Sequence, residues 1–325
     1  MSINFLWIKK LMKVLFVIIL TLQLIIPLNT AFGLFSYDSI NQRADFVESE
    51  KDPYDYVLQY KSDKEFKKWF DENYPDITIY NAVGLEEPVL ITQSSYVENT
   101  IIDGKWSNGR EWKESADEGW YFSDGNAMIL RSAHQNEYIY FLVDFVSDRT
   151  HDTNMDRAMI CLDPNNDKSK ISKSDDYCFV TSLQRNYAIV LQGGSQSALD
   201  GNFKRIYPQN VFAAGTVSDH HDRYSAIPHS SYEFKIPTEL VGRHAEYGLY
   251  IALYDNHNDI LYSWPRNIEL QNNFQIPPPN QWGELISIDK SLPEFNLPIL
   301  IVMLTFTALI LLTKTKGIKI MKNLY

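Results

Sequence analysis

The stretch from Asn126 to Val180 constrains the fold more than any other part of this 325-residue chain. Ala127, Ile129, Arg131 and Ala133 alternate with other residues, and His134 to Glu137 form a polar break. Tyr138 to Val146 is then an aromatic and β-branched run with apolar residues on both faces. The pattern predicts an edge or half-exposed strand turning into a central, fully buried one. Ala158 to Leu162 and Tyr177 to Val180 read as the arms of a second hairpin, joined by an Asp/Asn/Ser/Lys loop. Two hairpins of this kind need a second layer over their apolar faces, so the expectation is an all-β fold, an antiparallel β-sandwich.

Other segments fit that plan. Pro88 to Tyr96, Tyr187 to Gln192, Asn210 to Val217, Ser231 to Pro237, Tyr247 to Asp255 and Ile260 to Trp264 read as strands, with a one-turn helix start at Pro237-Thr238-Glu239-Leu240. The sandwich is placed at residues 85–270. Residues 37–84 form a short helical or extended segment. In it Ser62-Asp63-Lys64-Glu65 has capping-box spacing, Phe66, Trp69 and Phe70 share one helical face, and Asn73-Tyr74-Pro75 ends the helix. Residues 271–295, with Pro277-Pro278-Pro279, read as a stiff stalk.

The two ends are hydrophobic. Residues 1–33 carry Lys9, Lys10 and Lys13, then an apolar run from Val14 to Leu28 and the small-residue exit Asn29-Thr30-Ala31-Phe32-Gly33, the layout of a signal peptide that is either cleaved or kept as an N-terminal anchor. Residues 297–313 read as a C-terminal transmembrane helix, and the lysines in 314–325 as a basic cytoplasmic tail. The expectation is a membrane-anchored protein whose main domain is displayed at the cell surface. Between the ends, 23 Lys and Arg face 41 Asp and Glu, a net of −18. That excess argues against nucleic acid and anionic lipid as partners and favours divalent cations. Cys161 and Cys178 sit on the two arms of the second hairpin, where symmetric closure makes them face each other as a disulfide; two buried free thiols are the alternative.

Ile102-Asp103-Gly104 followed by Glu111-Trp112, the Tyr138-Ile139-Tyr140-Phe141 strand ending at Asp144, Leu162-Asp163 with Asn166-Asp167, Tyr232 to Pro237, and Tyr262-Ser263-Trp264-Pro265 occur in an order that resembles the family-nine carbohydrate-binding modules and the wider DOMON-like, jelly-roll sandwiches. Pro293-Glu294-Phe295, the apolar run and the basic end resemble the PEF-type sorting tail of archaeal surface proteins, which implies an archaeosortase as partner; an ordinary membrane anchor is the alternative.

The resemblance implies a non-catalytic binder of glycan or polysaccharide. Such modules stack aromatic faces on a sugar's C–H surface and bond its hydroxyls with polar side chains. Trp120 and Trp264, near turns, are the expected stacking residues, with Trp106, Arg131 and Gln192 beside them. Trp112, Tyr121 and Trp282 are further aromatic candidates. Asp163, Asn165 and Asp167, with Asp175 or Asp176 closing from the far end of the loop, have the spacing of a calcium loop. Asp219-His220-His221-Asp222 with His229 offers zinc or copper ligands. Met128, Met155, Met159, His134 and His151 leave open a haem b redox domain, since related sandwiches bind haem through such ligands. A structural envelope protein is the third reading. No nucleophile elbow, phosphate loop, zinc-protease helix or catalytic carboxylate pair is present, so an enzyme is not expected.

Overall fold

The computed structural model describes residues 43–196, 202–266, 268, 270, 272–273 and 275–289. Thirteen strands carry the fold: β1 (Val89–Gln93), β2 (Ala116–Tyr121), β3 (Ala127–Gln135), β4 (Tyr138–Phe145), β5 (Arg157–Asp163), β6 (Tyr177–Ser182), β7 (Ile189–Gln192), β8 (Lys204–Ile206), β9 (Phe212–Val217), β10 (Ser230–Pro237), β11 (Glu246–Asp255), β12 (Ile260–Trp264) and β13 (Gly283–Ser287). Their order is β8-β7-β6-β5-β11-β13-β1-β3-β4-β10-β9, with β12 added on β11 and β2 on β3. The chain is mostly β, as expected, but the sheet is one continuous mixed sheet and not two antiparallel ones. β1 pairs in parallel with both β13 and β3 and so joins the two halves. The halves curl toward each other about β1, because Phe141, Val143 and Phe234 of one half and Ile160, Phe179 and Ile251 of the other share a single core. At the far side Arg185 forms a lone bridge to Gly215.

Two further expectations are corrected by this topology. β3 is not an edge, because β2 pairs along it from Ala116 to Tyr121 while β4 holds its other side. The expected stalk is part of the body: β13 fills the slot between β11 and β1, and Ile276, Pro279 and Trp282 before it are buried. Its apolar residues are too few to show a strand period, and the proline run looks like a linker, so only long-range pairing reveals it. The hydrophobic ends, including Pro293-Glu294-Phe295, lie outside the described residues. Among the described residues no helix is long and apolar enough to cross a membrane.

The second hairpin closes as its sequence implies. Cys161 stands directly opposite Cys178 and the two are bonded, 17 residues apart in sequence. A loop of that size stabilises the fold by about 3 kcal/mol.

Residues before β1 form a small helical layer: α1 (Pro53–Ser62), α2 (Lys64–Asn73) and α3 (Ile79–Val83). Asp52, Asp63 and Thr78 cap them by accepting from backbone N–H groups of the first turns. The aromatic face foreseen on α2 packs around Phe46, whose ring lies 5.1–6.3 Å from those of Tyr56, Phe66, Trp69, Phe70 and Tyr74. A fourth, one-turn helix, α4 (Thr238–Val241), follows β10.

The outer face of β4 and β10 is covered by the segment before β2. Glu233 is fully buried there and accepts from Trp112 Nε1, Asp103 N and Gly104 N, each at 2.9 Å. Gly104 has φ +92° and lies so close to β9 that a Cβ would come within 2.8 Å of Thr216 N. Burial pushes the Glu233 carboxyl up to about 8, outweighing the three donors. A carboxyl raised on folding binds its proton more tightly in the native state, so its contribution is present below the ordinary glutamate range and lost as pH rises toward 8. Urea unfolding should therefore give lower stability at pH 8 than at pH 5.5, and Glu233→Gln should flatten that slope. An unchanged slope in the variant would show that Glu233 is ionised throughout.

Candidate functional site

The helical layer and the outward side of β1 and β13 leave a cleft of about 670 Å³ between them. Its floor is Leu90 of β1 and Ile286 of β13, adjacent in register and facing away from the core that Val89, Ile91 and Leu285 enter. Its walls carry Tyr60 of α1, Phe70 of α2, Tyr74, and Tyr80 of α3, and its rim carries Asp71, Glu87 and Glu118. Tyr60, Tyr74 and Tyr80 are half-buried and Phe70 is buried; Lys67 Nζ lies 4.0 Å from the Tyr60 ring centroid, and the Tyr74 ring stacks on Phe70 at 5.5 Å. Tyr60 donates to Asp71 at 2.8 Å. Burial, with Asp117 and Glu87 nearby, raises the Glu118 carboxyl above its ordinary value. Among the described residues no lysine or arginine lines the cleft, though Lys67 pairs with the rim carboxylate Asp71 at 3.0 Å. Aromatic surface with carboxylate acceptors can take a neutral, hydroxyl-rich ligand.

Beside it a buried polar network ties the helical layer to the sheet. Glu284 of β13 accepts from the hydroxyls of Tyr54 and Tyr80, from Asn166 Nδ2 at 2.6 Å and from Lys61 Nζ at 3.1 Å. Burial alone would raise its carboxyl, but these donors and the lysines hold it below the ordinary range. Lys168, from the acidic loop, donates to the carbonyls of Trp282 and Gly283 at 2.7 and 3.0 Å.

The residues expected to bind sugar are not brought together. Trp264 and Trp120 are core residues at 1% and 8% exposure with ring centroids 5.7 Å apart, so neither offers a face to solvent. The Trp264 ring lies against Gly283 of β13, and Trp120 points into the shared core although the turn after it, residues 123–125, is exposed. Trp106, in the segment before β2, and Arg131 of β3 do meet, the guanidinium 5.3 Å from the ring centroid, but both are buried. Arg131 is held by Asp117 at 3.3 Å, the Ser115 carbonyl at 3.2 Å and the Tyr224 hydroxyl. Gln192, on β7, donates to the Ser174 carbonyl at 2.6 Å. Trp112 and Trp282 are buried, and Tyr121 is exposed. Sequence reasoning missed the cleft tyrosines because α1 and α3 were not recognised. Asp52-Pro53, a cap followed by proline at the first helical position, was the available signal for α1.

In the acidic loop, Asp163, Asp175 and Asp176 can each place an oxygen within 4.8 Å of the others. Asp167 is drawn instead to Lys173 at 2.5 Å, and Asn165 Nδ2 donates to Asp175. Burial pushes Asp176 up to about 7, and Asp163 is raised by burial and by Asp167. The haem candidates are scattered. Met128 and His134 share a face of β3 but are six residues apart, about 20 Å along a strand. Met159 packs in a different cluster around Trp282, and His134 Nε2 lies 3.2 Å from Asp289. Met155 and His151 are exposed.

Fold and cleft together define a mostly-β protein with an aromatic, acid-rimmed cleft. Two solved structures resemble it: a carbohydrate binding module family 9 from Caldicellulosiruptor kristjanssonii in complex with cellotriose, and the same kind of module from that organism in complex with glucose. Each is 11% identical and covers 65% of this chain and 100% of its own, with TM-scores of 0.37 and 0.36. No protein-family model matches the chain, and no curated protein does. At that distance the sugars held by those modules say nothing by themselves about this chain.

Proposed function

We propose that this chain is a non-catalytic carbohydrate-binding protein that takes a neutral glycan in the cleft walled by Tyr60, Tyr74 and Tyr80. The observation that carries the reading is the pairing, in one 670 Å³ cleft, of half-buried aromatic rings with the carboxylates of Asp71, Glu87 and Glu118. Sugar C–H faces suit the rings, and sugar hydroxyls donate to the carboxylates. Anionic polysaccharides are disfavoured by the same rim. Display at the cell surface, by an N-terminal signal and a C-terminal anchor or sorting tail, belongs to the same proposal and is supported by the hydrophobic ends of the sequence. In the acidic loop Asp163, Asp175 and Asp176 form the calcium site we propose, which would stiffen the hairpin beside the disulfide.

Isothermal titration of the folded protein with glucose, cellotriose and a wider panel of neutral glycans tests the cleft. Tyr74→Ala and Glu118→Ala should each weaken binding of the best ligand about tenfold, roughly 1.4 kcal/mol. Wild-type affinity in both variants would remove the cleft as the site.

A further inference from the structure

His229 lies just before β10, and its ring is fully enclosed between Asp144 of β4 and Asp222 of the following-loop segment 219–229. The side chains of His229, Asp144 and Asp222 are 0%, 1% and 2% exposed. Nδ1 is 2.8 Å from the Ile227 carbonyl and 2.9 Å from Ser218 Oγ. A carbonyl only accepts, so Nδ1 carries the proton and Nε2 is the nitrogen turned toward the acids. Nε2 stands 2.5 Å from Asp144 Oδ1 and 3.8 Å from Asp222 Oδ1. Asp222 Oδ1 already accepts from Tyr224 N and Ser225 N. The remaining oxygens, Asp144 Oδ2 and Asp222 Oδ2, are buried and receive no N–H or O–H donor from another residue, and the two carboxyls lie close enough to bond to each other if one is protonated.

Two carboxylates at this depth require compensating positive charge. An imidazolium would bring one unit of charge and one N–H at this end of the ring, and the two Oδ2 atoms would then need a further proton shared between them. A divalent ion bound by neutral imidazole and two carboxylates closes the balance. We infer that Asp144, Asp222 and His229 hold a divalent transition-metal ion of the zinc class. Ligand atoms from the three residues lie within 4.8 Å of one another. Around tetrahedral zinc, with bonds of about 2.0–2.2 Å, ligands sit roughly 3.3–3.6 Å apart, so the 3.8 Å gap to Asp222 is near that span, and the 2.5 Å Asp144 contact has to lengthen by about 1 Å when the ion enters. The Nδ1 bond to a backbone carbonyl is the outer contact that orients a metal-binding histidine. Of the histidine-acid segment the sequence offered, His229 and Asp222 are used. His220 and His221 are exposed and form a separate, open group with Asp219. The ion would pin the 219–229 loop to β4, independently of the glycan cleft.

The test is metal content and cobalt(II) absorption of the full chain, stripped with chelator and reloaded with zinc or cobalt. One ion per chain should remain after dialysis, with visible cobalt bands of a low-coordinate nitrogen and oxygen site. His229→Gln and Asp222→Asn should lose the ion, and the His220→Ala/His221→Ala double variant should keep it. Circular dichroism reports folding; should His229→Gln not fold, Asp222→Asn, whose residue sits on a loop, decides. A folded wild-type chain that takes up no ion, undiminished binding by folded Asp222→Asn, or loss of the ion in the double variant would overturn the assignment.

Discussion

Trp264→Ala should lower the stability of the fold by about 3–5 kcal/mol, the cost of removing a large aromatic from a closed core. The indole is 1% exposed, lies beside Trp120, and rests flat against the backbone of Gly283, where a Cβ would come within 2.2 Å of the ring. Gly283 has no side chain because the ring occupies that space. Urea unfolding measures the loss. A sugar-stacking indole would instead be removable with little change in the midpoint, and a variant melting with the wild type would place Trp264 at the surface. The folded fraction of the variant should bind glycan normally, since the cleft lies on the outward side of β1 and β13.

Glu284→Ala should cost a comparable amount, about 3–5 kcal/mol, because it leaves buried partners without their charge. Lys61, Asn166, Tyr54 and Tyr80 all donate to this one carboxylate. Lys168, whose ammonium burial has already pushed down to about 8, loses the acid that most favours its charged form. The helical layer should loosen first, since Tyr54, Lys61 and Tyr80 are its polar attachments to β13. Limited proteolysis between α1 and α3 should accelerate in the variant ahead of cleavage in the sheet. Equal rates at both places would show that the layer is held by its apolar contacts alone. Because Glu284 is depressed, its contribution is present above the ordinary glutamate range and fails as pH falls through its lowered value. Glu233 acts on the opposite side, so stability should peak in mildly acidic solution.

Local patterning made much of the sheet legible. β4 reads as a two-sided apolar run because both its faces are covered, by the shared core on one and by Trp112, Trp106 and Tyr224 on the other. The disulfide followed from two cysteines on facing arms of one short hairpin. The capped amphipathic α2 was visible from its 3.6-residue period.

What the sequence determined by itself was therefore whatever depends on residues near one another in the chain: strand periods, the hairpin register that aligns Cys161 with Cys178, and a helix start within Ser62-Asp63-Lys64-Glu65, where Asp63 and not Ser62 of the capping-box spacing is the cap. Tertiary structure alone decided which aromatic rings are buried, because a tryptophan near a turn is exposed or enclosed according to strands that arrive from elsewhere. It decided that β13 closes the sheet, that Asp144 meets His229 across 85 residues of chain, and that the cleft tyrosines converge. Each of these joins segments far apart in sequence, and no local period encodes such a meeting.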